Sequence, residues 1–301
     1  MNPSFPEIRV GDPSCCGGLA VFPLYAEHTL FGVDYILSHE AMELGTVTVR
    51  EVSAAGSIPD LLVENDGDLP CLILEGTELR GHKQHRMLNA TALVGSRSHA
   101  RIPVSCVEHG SWRSESLKSV SGSHCPPSLR SFLKGSAASP RRGLGSHQIA
   151  FWAEIRRKHR AMGVASTTED LSAALEAHRE QVEQVQKELP YPAPANGVAV
   201  ALGGRLVSID FLDKPVTLEK LWGRVTEGFA LDTIATMPAT GREVTCTEVL
   251  AAVQRMRCLP WHPVEPVGLG EELRARDDGV LAAALFFDGV LLHASASLLR
   301  I

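Results

Sequence analysis

GVAVALGGRLVSIDF, residues 197–211, decides the fold. Two runs rich in β-formers, 197–202 and 205–211, flank Gly203-Gly204. Paired glycines between such runs are the signature of a two-residue hairpin turn, whose central positions both need positive φ. The pattern returns in VLAAALFFDGVLLHA, residues 280–294, with Asp288-Gly289 as the turn. Working outward, 18–24, 60–64 and 71–74 read as strands, as does the alternating 46–52. A short helix over 35–44 ends at Gly45, and an amphipathic helix from 149 ends at Gly163. Ser166 to Asp170 offers capping chemistry for a helix predicted to run to Leu189, where Pro190 stops it. Further helices are predicted over 218–235 and 245–256. The sequence therefore predicts an α+β protein, a strand-rich single domain over 1–301 with a helical middle section and antiparallel hairpins. Residues 114–148 are rich in Ser, Gly, Pro and Arg, as in GSAASPRRGLGSH, and predict a flexible insert.

The chain has 301 residues and a formal net charge of −6, so no global basic field points to nucleic acid. Its seven cysteines contain no C-x-x-C pair, which argues against a structural zinc site. The N-terminal MNPSFPEIRV lacks the basic and apolar regions of a secretory signal, and no apolar run reaches the length of a membrane span. The expectation is a reduced, cytoplasmic protein that contacts neither membrane nor nucleic acid.

Two segments carry the chemistry. LILEGTELRGHKQHR, residues 72–86, runs an apolar strand into a dense set of ionisable groups, and IPVSCVEHGSW, residues 102–112, repeats the arrangement. Burying such groups is costly unless each finds a partner, so the two segments read as adjacent walls of one site. Glu78 and Glu108 are the candidate catalytic carboxylates, with Glu78 as general base. Arg86 and Lys83 would hold an anion, Gln84 and Asn89 would position an amide or base edge, and Cys106 and Trp112 would line the recess. Glu75, Glu78 and Glu108 together offer oxygen ligands to Mg²⁺. The alternative is that the glutamates pair with Arg80, Lys83 or Arg86 as salt bridges. A helical Glu78/His82/His85 zinc face is disfavoured, because Gly76 and Gly81 interrupt any helix there. His82 and His85 are read instead as surface or supporting residues.

These segments, with VFPLYAE, EAMELGTVTVREV, VASTTEDLSAAL and GVAVALGGRLVSIDFL, resemble the ARPP-1 family, the ARG and rhodanese-phosphatase-superfamily-associated protein domain. The resemblance spans roughly residues 15–235 and is most specific at GxELxGxxQxR and PVSCVExGxW. It carries over Glu78, Gly81, Gln84 and Arg86 from the first motif and Cys106, Glu108 and Trp112 from the second, with Glu40 and Glu51 upstream. His82, His85 and Ser111 depart from the family pattern. The resemblance implies association with ADP-ribosylglycohydrolase-type enzymes and a nucleotide-like anionic small molecule of the ADP-ribose or NAD type as ligand. The favoured expectation is a hydrolytic or group-transferring enzyme. The alternatives are a non-catalytic nucleotide-sensing module and a structural partner of another enzyme.

Overall fold

A computed structural model of the chain describes residues 4–26, 33–52, 59–81, 84–108, 120–137, 144–166, 170–236 and 242–299, with the side chains of 144–147 left aside. Eighteen strands and seven α-helices lie among the described residues. The N-terminal part holds β1 (Ile8–Val10), β2 (Ser14–Cys16), β3 (Leu19–Ala26), β4 (Ile36–Leu37), α1 (Ser38–Glu43), β5 (Val47–Glu51) and β6 (Asp60–Asn65). The polar segments form β7 (Cys71–Ile73), β8 (Thr77–Arg80), β9 (Arg86–Leu88), β10 (Ala92–Val94) and β11 (Ser98–Cys106). Then come β12 (Val120–His124), α2 (Arg130–Ala137), α3 (Leu144–Met162), α4 (Leu171–Ala177) and α5 (Arg179–Glu188). The chain closes with β13 (Gly197–Leu202), β14 (Arg205–Leu212), α6 (Pro215–Ala235), α7 (Cys246–Arg257), β15 (His262–Val264), β16 (Glu271–Asp277), β17 (Val280–Phe287) and β18 (Val290–Leu298).

Both hairpin readings hold. Gly203 and Gly204 take φ of 59° and 73°, and Asp288 and Gly289 take 50° and 76°, so both turns have the paired positive φ of the type I′ geometry. The hairpins β13–β14 and β17–β18 join through the β14–β18 pairing into a nine-stranded sheet that also takes in β1, β2, β3, β15 and β16. One face of this sheet presents Ala282, Ala284, Ala294 and Ala296 alternately along β17 and β18, and these small residues share a core with Val249, Val253 and Met256 of α7. The other face packs Val198, Val200, Leu212 and Leu292 against Trp222, Phe229 and Ala230 of α6.

A six-stranded sheet, β12-β8-β9-β11-β6-β5, and a small sheet, β10-β7-β4, complete the architecture. All pairings are antiparallel except β4 with β7. The six-stranded sheet contributes Leu61, Val63, Leu79, Leu88 and Val104 to one core and Met87 to another, shared with Phe151 and Ile155 of α3 and Leu171 of α4.

Two expectations change. The segment 114–148 is not slack where it is described: β12, α2 and the start of α3 lie in it, and Ser123, Arg130 and Lys134 are buried. The helix predicted to reach Leu189 is two helices. Asp170 caps the first by accepting from the Ser172 backbone N–H at 3.2 Å, and the chain breaks at His178 before α5 begins.

Candidate functional site

The two polar segments are neighbouring strands, as their sequence suggested. Arg86 opposes Cys106, and Met87 opposes Ser105, between β9 and β11. Glu78 opposes Met87, and Leu79 opposes Arg86, between β8 and β9. Directly opposed residues share a face and successive residues alternate. Glu78 therefore sits on one face of the sheet, and Arg86 with Cys106 on the other.

On the first face Glu78 is fully buried. Its Oε2 accepts from Arg80 Nε at 2.8 Å, from the Ser123 backbone N–H at 3.2 Å and from Ser123 Oγ at 2.9 Å. Its Oε1 accepts from Ser172 Oγ at 3.2 Å and lies 3.9 Å from His85 Nδ1. Gly122 makes this possible, since a Cβ there would sit 2.4 Å from Glu78 Oε2 and 2.6 Å from Arg80 Nε. Glu108, also buried, accepts from the His85 backbone N–H through Oε2 at 2.9 Å and brings Oε1 to 3.7 Å from His85 Nδ1. Asp170 Oδ2 stands 3.2 Å from the same nitrogen. Three carboxylates thus surround one imidazole. Burial disfavours the charged imidazole, but the Asp170 contact and the charges of Glu108 and Glu78 outweigh it, and the His85 pKa is raised. Burial likewise pushes Asp170 up, and His85 more than reverses it, so the Asp170 pKa is lowered.

A second polar cluster lies three residues upstream. Glu75, buried, accepts from Lys134 and from Arg130 Nε and Nη2 at 3.3 Å each. Arg130 also donates through Nη1 to Asp210 Oδ2 on β14. His293 Nε2 lies 3.3 Å from Asp210 Oδ1, and His293 Nδ1 lies 2.7 Å from Thr91 Oγ1. Burial raises Glu75, but Lys134 and Arg130 bring its pKa below the ordinary value; Arg130 does the same for Asp210. Lys134 is pushed down by burial, and His124 is pushed down to about 3 by burial and by Arg130.

Glu75 is therefore not a partner of Glu78 and Glu108, and the expected three-glutamate Mg²⁺ set does not form: Glu75 is taken by two cations on α2. Arg86 does not aim at Glu78 either. Its Nη1 donates to Gln84 Oε1 at 2.6 Å and lies 2.8 Å from Cys106 Sγ, which lies 3.1 Å from Gln84 Oε1. Burial pushes the Cys106 thiol up, only partly opposed by Arg86. Asn89 accepts from Ser105 Oγ at 2.8 Å. Lys83, Trp112, His82, His109 and Ser111 lie outside the described residues. Sequence reasoning discounted His85 and passed over Asp170, Ser123 and Ser172. Asp170 carried one usable signal, an acidic residue at the opening of a helix.

Glu78, His85 and Asp170 place one potential metal-ligating atom each within 4.8 Å of one another, the one such group among the described residues. No described helix is long and apolar enough to cross a membrane. No curated protein matches the sequence and no solved structure matches the chain. The sequence profile of ARPP-1, the ARG and Rhodanese-Phosphatase-superfamily-associated Protein domain, matches residues 7–297, nearly the full length that carries both clusters, and the chain belongs to that family.

Proposed function

We propose that the chain is a hydrolytic or group-transferring enzyme that acts on a nucleotide-like anionic ligand of the ADP-ribose or NAD type at the Glu78–His85–Glu108–Asp170 cluster. The observation that carries this reading is the gathering of three buried carboxylates on one imidazole. Shifted groups such as His85 and Asp170 gather where protons are moved or charges are handled. Glu108 is the base in this reading. Its Oε2 is anchored on the His85 backbone while Oε1 faces the imidazole, so it can take a proton from water or from a ligand hydroxyl. Glu78 serves as a fixed anion, because Arg80 and Ser123 occupy Oε2. Arg80, about a third exposed at its side chain, offers its guanidinium to the ligand's anionic end. The family's name supports the ligand class through its stated association.

The test is to incubate the purified chain with NAD, ADP-ribose, other nucleotides and their esters, and to separate products chromatographically. Turnover of one of them that Glu108→Gln abolishes, with binding retained, supports the proposal. Equal binding and no turnover by the wild-type chain would make it a sensor instead.

A further inference from the structure

We infer that Glu78, His85 and Asp170 form a binding site for a divalent transition-metal ion, with Glu108 beside it. The inference rests on the catalytic reading of this cluster and supplies what that reading lacks. An anionic ligand approaching this cluster meets the carboxylates of Glu78 and Asp170 beside His85 and Arg80. A divalent ion reverses the sign of the site.

The geometry suits an ion. Ligands about 2.0–2.2 Å from a metal lie roughly 3–3.5 Å from one another. His85 Nδ1 and Asp170 Oδ2 are 3.2 Å apart, and His85 Nδ1 and Glu78 Oε1 are 3.9 Å apart. All three ligand atoms lie within 4.8 Å of one another. His85 Nδ1 is shielded from solvent, with Asp170 Oδ2 at 3.2 Å, Glu108 Oε1 at 3.7 Å and Glu78 Oε1 at 3.9 Å around it. A bound ion would take the place of the proton that this nitrogen otherwise holds among the carboxylates.

The outer contacts point the same way. Arg80 and Ser123 hold Glu78 Oε2 and leave Oε1 directed at the histidine, and Ser172 N–H holds Asp170 Oδ1 while Oδ2 faces His85. Ligating carboxylates are commonly oriented by such outer hydrogen bonds. One imidazole with two carboxylates favours manganese, iron or zinc over magnesium or calcium, which prefer oxygen alone. Glu108 Oε1 would then adjoin the ion, placed to accept a proton from a bound water.

The test uses the full chain, stripped with a chelator and titrated with Mn²⁺, Co²⁺, Zn²⁺ and Mg²⁺ by calorimetry, with the Co²⁺ absorption spectrum as a second readout. Expected is saturable binding of one ion per chain, tighter for the transition metals than for Mg²⁺. His85→Ala and Asp170→Asn should each weaken it at least about tenfold. Asp68→Asn, at an exposed carboxylate paired with Arg97, should change nothing. Glu78→Gln is read only if circular dichroism shows it folded; the other two variants decide the matter without it. Absence of saturable binding by the wild-type chain, or equal affinity in both His85→Ala and Asp170→Asn, overturns the site. The enzyme reading fails separately. Ion binding without turnover of any nucleotide keeps the metal and removes the enzyme, whereas turnover indifferent to the chelator keeps the enzyme and removes the metal.

Discussion

Glu75 and Glu78 are separated by Gly76 and Thr77, and both are buried, yet they sit in opposite electrostatic settings. Glu75 meets Lys134 and Arg130, and Arg130 passes on to Asp210 on the large sheet, so opposite charges alternate through the cluster. Glu78 meets Arg80, but its other neighbours are an imidazole with Asp170 and Glu108 beyond it. A buried charge costs several kcal/mol in lost hydration and persists only where partners restore it. The first cluster is restored from within and ties three elements together. Among the described residues the second gathers three carboxylates around His85, with Arg80 on Glu78. Carboxylates gathered on one imidazole are an arrangement that proteins often keep for chemistry.

The largest expected effect breaks the balanced cluster. Glu75→Gln leaves Arg130 and Lys134 buried with their shared carboxylate gone, and removing one partner of a buried ion pair costs about 3–5 kcal/mol. The urea midpoint should fall accordingly. An unchanged midpoint would mean that the two clusters do not differ in the way described.

Acid should also strike the balanced cluster first. His124 faces Arg130, Asp210, His293 and Glu75, and its pKa is pushed down to about 3 from 6.5. With the folded value below the unfolded one, the native state binds fewer protons on acidification. Its contribution is complete above 6.5 and is lost as pH falls toward the folded value, by about 2–4 kcal/mol near pH 4. Denaturant titrations of wild type and His124→Gln across this range should show a shallower acid limb in the variant. Parallel limbs would contradict the assignment.

Gly122→Ala carries the comparison to the unbalanced cluster. The added Cβ would lie 2.4 Å from Glu78 Oε2, so carboxylate and guanidinium must move. Overpacking of this kind costs about 1–3 kcal/mol. Unlike the Glu75 change, it should also weaken ion binding and turnover. A variant with native affinity and activity would show that the placement of Glu78 is immaterial.

The balanced fold was far more legible in sequence than the site. Hairpins announce themselves locally, because Gly203-Gly204 and Asp288-Gly289, set between two strand-forming runs, take the positive φ of the turn at little cost. Glu78 and Glu108 were legible as polar groups beside apolar strands. Arg86 was misjudged because β8 and β9 are short strands joined around Gly81, at φ 99°, so which side chains share a face depends on a register no local pattern states. His85 was discounted on a helical spacing argument, yet it meets Asp170, 85 residues downstream. Asp170 was read only as part of the capping chemistry of a helix opening at Ser166, and it is itself the cap of α4. Ser123, Arg130 and Lys134 came from a stretch whose composition suggested slack chain. Such long-range meetings are fixed by tertiary packing, which overrides local preference.

The smallest stability effect is the sharpest discriminator. Asp170 has two roles that a single substitution separates. As the cap of α4 it accepts the Ser172 N–H at 3.2 Å, and asparagine caps as well as aspartate. As one of three carboxylates around His85 it supplies a negative charge, which asparagine removes. Asp170→Asn therefore keeps the helix start and relieves part of the like-charge crowding between Asp170, Glu78 and Glu108. Its urea midpoint should fall by much less than that of Glu75→Gln, since His85 is partly exposed and keeps Glu108 and Glu78 beside it. Its ion affinity should fall at least about tenfold. Glu75→Gln should do the reverse, with large loss of stability and ion affinity unchanged in the fraction that remains folded. If Asp170→Asn instead destabilises as strongly as Glu75→Gln, the Asp170 charge is needed to balance His85 within the fold, and the unbalanced cluster is a second structural clasp.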